Sequence, residues 1–290
     1  MTLITRFAPS PTGYLHLGHA YSALFAYQTA QTSKGRFLLR IEDIDPIRCR
    51  PEFSEALLED LHWLGLIWEE PVRRQSQHLK DYAAALSQLR SMDLLYPCFC
   101  TRREIENEVL ASAAAPHLAL SGPDGPVYPG TCRTLDPAER ARRLDRNEAA
   151  NWRLDTAKAL GITGPLSWSD REAGTVVAAP LCFGDVVLAR KDAQTSYHLS
   201  VTVDDHLQGV TLVTRGRDLF RATDVHRLLQ ALLGYDTPLY HHHKLLTDGA
   251  GRRFAKRDQD MTLRALRAAG KTADEVKAMA TAGAVQANPG

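Results

Sequence analysis

Long apolar runs are absent from this sequence of 290 residues. No stretch approaches the length of about eighteen apolar residues that a membrane-spanning helix requires, and residues 1–11 contain no apolar signal core. We therefore predict a cytoplasmic protein with no membrane partner. The five cysteines are an odd number, which in a chain without a secretory signal argues against a disulfide framework.

An excess of charge of either sign is absent as well, since 35 Lys and Arg stand against 34 Asp and Glu. Residues 241–290 are more basic, with nine Lys and Arg against five Asp and Glu. Such an end can hold phosphates or nucleic acid, and a solvated helix face gives the same count. The hydrophobic fraction of 44% and the charged fraction of 24% are typical of a globular protein with a large core.

Strand and helix patterns alternate along much of the chain. In chain order, the predicted elements are strands at 3–8 and 36–41 around a helix at 18–32, helices at 51–64 and 76–92, strands at 185–189, 196–203 and 210–214, a helix at 222–233 and a last strand at 238–243. This alternation predicts an α/β fold with a parallel sheet and crossover helices.

The composition changes between the two α/β parts. Residues 96–180 are rich in Pro, Gly, Ala and Arg, and we predict that they form an insertion into a main domain made of residues 1–95 and 181–243. Residues 244–290 are predicted to form a basic loop and a helical C-terminal extension.

The strongest motif joins the first predicted strand to the first helix. It runs from Arg6 to His19 and places Gly18 between two histidines. A strand end that meets a helix N-terminus is where parallel sheets bind ligands. His16 and His19 can donate N–H groups to phosphate beside the positive end of the helix dipole, and Gly18 lets a nucleotide approach the backbone. We predict a nucleotide site here.

The segment Pro9-Ser-Pro-Thr-Gly-Tyr-Leu-His-Leu-Gly-His19 resembles the signature of the class I glutamyl- and glutaminyl-tRNA synthetases. Residues 38–45 and 211–219 resemble further motifs of that family, and the resemblance extends from Arg6 to about Asp258. It implies that the main domain is a Rossmann-like catalytic domain, that the insertion is an acceptor and zinc-binding subdomain, and that His16, Gly18 and His19 bind ATP.

A basic loop resembles the lysine-bearing loop of class I synthetases. It contains Arg253, Ala255 and Lys256, where the usual form has Lys first and Ser before the second Lys. The resemblance implies that Lys256 binds ATP and stabilises the charge that builds at the α-phosphate during catalysis, together with His16 and His19. The departure at Arg253 leaves the role of the first basic residue open.

Recognition of glutamate requires cations for two carboxylates and an anion for the ammonium group. Arginine suits a carboxylate because its planar fork binds both oxygens. By resemblance, the predicted glutamate pocket comprises Arg6, Phe7, Ala8, Pro9, Ser10, Glu42, Tyr197 and Arg215. The arginines would bind carboxylates, Glu42 the ammonium group, and Tyr197 and Ser10 would orient the substrate.

Three cysteines form a separate candidate site. Cys98 and Cys100 are one residue apart and Cys132 follows a glycine-containing turn, so they can bind one structural zinc ion, for which four ligands are usual. By resemblance Tyr128 is the fourth ligand, and His117 is the chemical alternative. Buried reduced thiols without a metal are the other interpretation. A zinc ion here would brace the insertion.

The resemblance is to shortened members of the family. After Lys256 only 34 residues remain, so we expect no separate anticodon-binding domain. The shortened members, the glutamyl-queuosine tRNA(Asp) synthetases, activate L-glutamate with ATP in the absence of tRNA and attach it to the queuosine base at the wobble position of tRNA(Asp). This implies ATP with Mg²⁺, L-glutamate and the anticodon loop of tRNA(Asp) as partners of a monomer.

Three other hypotheses remain open at this point. A truncated glutamyl-tRNA synthetase would charge the 3′ end of tRNA(Glu), a non-catalytic paralogue would only bind tRNA, and a small-molecule adenylyltransferase would share the His-x-Gly-His motif. No motif points to residues that hold the queuine ring.

Overall fold

The computed structural model of the chain describes residues 2–113, 121–246 and 262–286. Its strands are β1 (Ile4–Phe7), β2 (Arg36–Ile41), β3 (Glu69–Arg74), β4 (Leu95–Cys98), β5 (Ser121–Gly122), β6 (Gly125–Pro126), β7 (Asn151–Leu154), β8 (Ser167–Asp170), β9 (Gly174–Val177), β10 (Val187–Ala189), β11 (Leu212–Gly216) and β12 (Leu239–His243). Its α-helices are α1 (Leu17–Thr32), α2 (Pro51–Trp63), α3 (Leu79–Ser91), α4 (Arg102–Ala113), α5 (Pro137–Asp145), α6 (Thr156–Thr163), α7 (Tyr197–Leu207), α8 (Ala222–Leu233), α9 (Leu263–Ala268) and α10 (Ala273–Gln286). Within these ranges, no helix has the length and apolar character needed to cross a membrane.

Parallel strands form the centre of the fold, as the alternating pattern predicts. β1 pairs with β2 and β2 with β3, while β11 pairs with β12, all in parallel. The N–H of Thr211 donates to the carbonyl oxygen of Ile4 at 3.1 Å, so β11 lies beside β1. The resulting order is β3-β2-β1-β11-β12, and the carboxyl ends of these strands meet at one edge.

Helix α1 crosses between the first two strands and packs closely on them. Ala20, Ala23, Ala26 and Ala30 are buried, and these small side chains let the helix approach the sheet. The hydroxyl of Thr5 donates to the carbonyl of Ala26 at 2.9 Å. Residues of α9 and α10 join the same core cluster, so the predicted C-terminal tail contains helices that pack against the main domain.

One predicted strand is wrong, because residues 196–203 begin helix α7. Ser196 caps this helix with its side-chain oxygen, which accepts from the N–H of Leu199 at 3.5 Å. Leu199, Val201 and Val203 alternate with small polar residues, which mimics a half-buried strand. Residues 199–205 are all buried, so the helix lacks the exposed face whose 3.6-residue period identifies an amphipathic helix.

Part of the predicted insertion belongs to the same sheet as the last strand. β8 pairs in parallel with β12 through Asp170 and Tyr240 and in antiparallel with β9. β7 pairs with β4 and β10, which links the insertion to residues on both sides of it. The domain limits at 96 and 180 stay a prediction.

Gly35 offers a test of how tightly the turn between α1 and β2 is packed. A Cβ atom at this position would lie 2.3 Å from the carbonyl oxygen of Leu3. We expect Gly35→Ala to lower the free energy of unfolding by about 1–3 kcal/mol, because the clash is with backbone. Equilibrium unfolding in urea measures this change.

Gly161 is the matched control. It lies on an exposed turn of α6, where an added Cβ meets nothing within 4 Å. Gly161→Ala should raise the free energy of unfolding by about 0.5–1 kcal/mol through its higher helix propensity. Equal stability of the wild type and Gly35→Ala would contradict the close approach.

Candidate active site

A cavity of about 630 Å³ opens where β1, β2 and β11 end. Its walls include all of the residues predicted to bind ATP or glutamate that lie in the described ranges: Arg6, Phe7, Ala8, Pro9, Ser10, His16, Gly18, His19, Glu42, Tyr197 and Arg215. Lys256 and the rest of its loop lie outside the described residues. The fold therefore brings together side chains that are far apart in sequence, while their individual roles stay predictions.

The two motif histidines cap the N-terminus of α1. The Nδ1 atom of His16 accepts from the N–H of Gly18 at 3.1 Å, and the Nδ1 atom of His19 accepts from the N–H of His16 at 3.2 Å. In a neutral ring this leaves the proton on Nε2, so each ring keeps an N–H donor. The ring centroids are 3.8 Å apart.

The structure gives a second reason for a glycine at position 18, which the sequence did not show. A Cβ atom there would lie 3.0 Å from Cε1 of His16. A larger residue would push the His16 ring from its capping position. Gly18 therefore permits the histidine arrangement itself, besides the close nucleotide approach that we predict.

Arg215 is a buried cation with neutral partners. Its side chain donates from Nε to His242 at 3.1 Å and from NH2 to Thr223 at 2.7 Å. NH1 lies 3.2 Å from Nδ1 of His226 and 3.5 Å from the hydroxyl of Tyr197. In the described part of the chain, no carboxylate forms an ion pair with Arg215. A buried cation of this kind is suited to an incoming anion.

The histidines around Arg215 are held in their neutral form. Burial, followed by the charge of Arg215, lowers the pKa of His242 to about 4. The same two causes lower the pKa of His226 well below its ordinary value. Nδ1 of His242 lies 2.8 Å from Oδ2 of Asp170, which fixes the ring so that Nε2 accepts from Arg215. These side chains orient the guanidinium group without neutralising it.

Arg6 differs from Arg215 because it already has an anionic partner. Its Nε and NH2 donate to Asp205 at 2.9 and 3.3 Å, and its NH1 donates to the carbonyl of Thr214 at 3.0 Å. Burial acts to raise the pKa of Asp205, but the charges of Arg6 and Arg40 hold it below its ordinary value. Arg6 thus shares its charge with a structural carboxylate.

Arg40 is a residue that the sequence analysis did not single out. It is fully buried, and its NH1 donates to Asp205 at 2.8 Å and its NH2 to Glu42 at 3.3 Å. A signal was present, because an arginine inside the apolar strand Arg-Phe-Leu-Leu-Arg-Ile is unusual. Burial outweighs the attraction of Arg40 and Arg6 and raises the pKa of Glu42 to about 7.

The three predicted cysteine ligands form a compact cluster. The Sγ atoms of Cys98, Cys100 and Cys132 lie within 4.8 Å of one another. Ligands of a tetrahedral zinc ion are about 3.8 Å apart, so the cluster can hold a metal ion. The hydroxyl of Tyr128 is 3.7 Å from Sγ of Cys100 and accepts from the N–H of Cys132 at 2.8 Å. His117, the alternative ligand, lies outside the described residues.

Without a metal, the groups of this cluster differ in their ionisation. Burial acts to raise the pKa of Cys132, but hydrogen bonds, first that with Tyr128, hold it below its ordinary value. Burial, followed by a hydrogen bond with Cys132, raises the pKa of Cys100 to about 12. Burial also raises the pKa of Tyr128 above its ordinary value. Neither group ionises at neutral pH without a metal, and a bound metal favours their anionic forms.

A parallel sheet with a cavity at its carboxyl edge is the arrangement of a Rossmann-like α/β protein. The profile of the class I tRNA synthetases for glutamate and glutamine (E and Q), catalytic domain, matches residues 2–280. The chain therefore belongs to this family of ligases, and it is an enzyme.

Two of the relatives within the family carry the same name. The chain is 48% identical to a protein from Rhodobacter capsulatus named Glutamyl-Q tRNA(Asp) synthetase, over 95% of this chain and 98% of that protein. It is 41% identical to a protein of the same name from Nitratidesulfovibrio vulgaris, over 93% of this chain and 83% of that protein.

A solved structure shows the same architecture. The glutamate tRNA ligase of Elizabethkingia meningosepticum, in complex with its amino acid, superposes with a TM-score of 0.75 at 29% identity. The match covers 90% of this chain and 53% of that ligase, so the chain spans about half of the ligase.

The role predicted for Glu42 makes amino-acid binding depend on pH. With its pKa at about 7, Glu42 is mostly protonated below pH 7 and then cannot attract an ammonium group. We expect kcat/KM for glutamate in ATP–pyrophosphate exchange to rise as pH increases through about 7, because this constant reflects ionisation of the free enzyme.

Two variants test the assignment. Glu42→Gln should lower kcat/KM and remove the rise with pH, whereas Glu55→Gln, on the exposed face of α2, should retain both. A rise that is unchanged in Glu42→Gln would belong to another group and would contradict the role of Glu42.

Proposed function

We propose that this enzyme activates L-glutamate with ATP in the absence of tRNA and transfers it to the queuosine base at the wobble position of tRNA(Asp). The observation that carries the activation step is the cavity, which combines a histidine-capped helix N-terminus with the buried cation Arg215. Near end-to-end similarity to the Glutamyl-Q tRNA(Asp) synthetase of Rhodobacter capsulatus supports the acceptor.

In the first step, an α-carboxylate oxygen of glutamate attacks the α-phosphorus of ATP in line. The bond between the α-phosphorus and the bridging oxygen breaks, pyrophosphate leaves, and glutamyl-adenylate forms. His16 and His19 would donate their Nε2–H groups to phosphate at the positive end of α1. Lys256 would supply charge from its loop. Catalysis rests on positioning and charge stabilisation, without a covalent enzyme intermediate.

The substrate amino acid would lie between Arg215 and Glu42. Arg215 is the preferred partner for the side-chain carboxylate, because its present partners in the described chain are neutral and Arg6 is paired with Asp205. Tyr197, whose hydroxyl is 3.5 Å from Arg215, would orient the same carboxylate. Glu42 would bind the ammonium group once it is ionised, and Ser10 lines the wall nearby.

In the second step, a hydroxyl of the queuosine cyclopentenediol attacks the activated carbonyl. A carbon–oxygen ester bond forms, the acyl–phosphate bond breaks, and AMP leaves. The hydroxyl proton passes to a phosphate oxygen of AMP and then to solvent. A single-stranded anticodon loop can present a splayed base to such a site.

Two metal ions belong to this proposal. Magnesium would enter with ATP, held mainly by the phosphates, because the described walls of the cavity contain only Glu42 and Asp218 as carboxylates. Zinc would be held by Cys98, Cys100 and Cys132, with Tyr128 as the fourth ligand. The zinc ion would stabilise the insertion and take no part in the reaction.

We further propose that the enzyme acts as a monomer in the cytoplasm, where it would meet ATP, L-glutamate and tRNA(Asp). In this proposal the anticodon loop enters from the mouth of the cavity.

Transfer of labelled glutamate tests the proposed function. With ATP, the enzyme should label bulk tRNA that contains queuosine and leave tRNA without queuosine unlabelled. Mapping of the label should place it on the anticodon nucleotide of tRNA(Asp). Arg215→Ala tests the amino-acid pocket. It should raise the KM for glutamate more than the KM for ATP, because the arginine would contact only the amino acid.

The position of the label decides between the alternatives. Label on the 3′ adenosine of tRNA(Glu) would overturn the proposed acceptor and show that the enzyme charges the 3′ end of tRNA(Glu). The similarity to a glutamate tRNA ligase keeps that hypothesis open. Absence of ATP–pyrophosphate exchange would overturn the activation step.

The zinc site has its own test. Cys98→Ser should reduce bound zinc from one ion per chain and lower the melting temperature, because one of the clustered ligands is lost. Cys182→Ser is the matched control, since Cys182 is exposed and does not belong to the cluster. Elemental analysis and thermal unfolding measure both effects, and a metal-free wild type would contradict the site.

A further inference from the structure

A second cavity of about 300 Å³ adjoins the first one. Ser10, Thr12, Glu42 and Tyr197 line both cavities, so they form a shared wall. The other walls of the second cavity come from the segment after β2, from Gln75 and from residues 190–196. Its volume is at the lower end of the range of about 300–1,000 Å³ for ligand cavities, which suits a small ring better than a nucleotide.

Gln75 gives this cavity an acceptor in need of a donor. Its side chain is fully buried, and Nε2 donates to Oδ2 of Asp204 at 2.8 Å. Oε1 is buried and has no hydrogen-bond partner in the described structure. A buried acceptor without a partner is unfavourable, so Gln75 is a wall residue with unused hydrogen-bonding capacity.

Small polar side chains form part of the remaining interior, beside Ile44 and Cys49. Thr195 and Ser196 are buried, and Ala193 leaves open space beside them. The hydroxyl of Thr195 lies 3.5 Å from the carbonyl of Ser196, a long contact that a ligand hydroxyl can replace. These groups suit a ligand that carries several hydroxyls.

Charged groups lie toward the mouth of the cavity. Arg48 and Arg190 have side chains that are 68% and 42% exposed, and each approaches Asp45, at 2.7 and 3.9 Å. Exposed arginines suit the phosphates of an RNA backbone, which position a nucleic acid without selecting its bases. Asp45 already accepts from the backbone N–H groups of Ile47 and Arg48 besides pairing with the two arginines, so it holds the arginines at the mouth.

We propose that the second cavity is the acceptor subsite, which takes the cyclopentenediol of queuosine. This inference rests on the proposed function and adds where the acceptor binds. The diol would pair with Gln75 and the hydroxyls of Thr195 and Ser196, and the backbone phosphates would meet Arg48 and Arg190. The attacking hydroxyl would reach the glutamyl-adenylate across the shared wall.

Filling the second cavity separates the two steps of the reaction. Ala193 lines the second cavity and not the first. We expect Ala193→Leu to keep ATP–pyrophosphate exchange within about twofold of the wild type and to slow transfer to queuosine-containing tRNA(Asp) by about tenfold or more, because the acceptor hydroxyl is displaced. Transfer is measured in a single turnover from preformed glutamyl-adenylate.

Ala84→Leu is the matched control, because Ala84 is exposed on α3 and lines neither cavity. Both of its rates should equal those of the wild type. A second variant, Gln75→Leu, removes the unpaired acceptor at similar volume and should also slow transfer more than exchange. If it does not fold, as shown by its melting curve, Ala193→Leu decides the matter.

Three results would overturn the proposal. Unchanged transfer in Ala193→Leu would show that the acceptor does not use the cavity. Loss of exchange together with transfer, in a folded variant, would assign the cavity to activation. A wild type that exchanges pyrophosphate but never labels queuosine-containing tRNA would refute the proposed function itself, and the subsite with it.

Discussion

A pair of buried carboxylates on α7 holds together the edge of the sheet where the cavity opens. Asp205 accepts from Arg6 of β1 and Arg40 of β2, and Asp204 accepts from Arg73 of β3. The two carboxylates are at most 10% exposed, so removal of their arginine partners would leave buried charge uncompensated, at a cost of about 3–5 kcal/mol. The three strands and helix α7 are therefore fixed relative to one another where the cavity opens.

Local patterns in the sequence predict much of this arrangement, and contacts between distant residues explain what they miss. The strand, loop and helix of the first motif follow from apolar periodicity and from glycine and proline positions. The ion pair between Arg40 and Asp205 joins residues 165 positions apart, which no local pattern reveals. The wrong strand prediction at 196–203 also has a tertiary cause. A helix that is buried on every side shows no alternation of apolar and polar residues with a 3.6-residue period.

The two arginines illustrate how residue type differs from role. The sequence analysis predicts that both bind carboxylates, because both lie near the end of a strand and both present a planar fork. In the folded protein Arg6 faces Asp205, whereas Arg215 faces His242, His226 and Thr223. The partners distinguish a cation that already pairs with a carboxylate from one whose described partners are neutral, and partners are known only after the fold.

The same contrast separates the two halves of the proposed reaction. Three of the groups that would hold ATP lie within one short segment, from His16 to His19, and Lys256 lies in a second motif, so sequence motifs are enough to indicate them. The walls of the second cavity come from four separate segments that share no motif, and one of them contributes the unpaired buried acceptor of Gln75. Activation chemistry is thus visible as a signature, whereas acceptor choice depends on side chains that the fold assembles. Substitutions at those side chains can change the acceptor while the nucleotide motif remains intact, because only the shared wall belongs to both cavities.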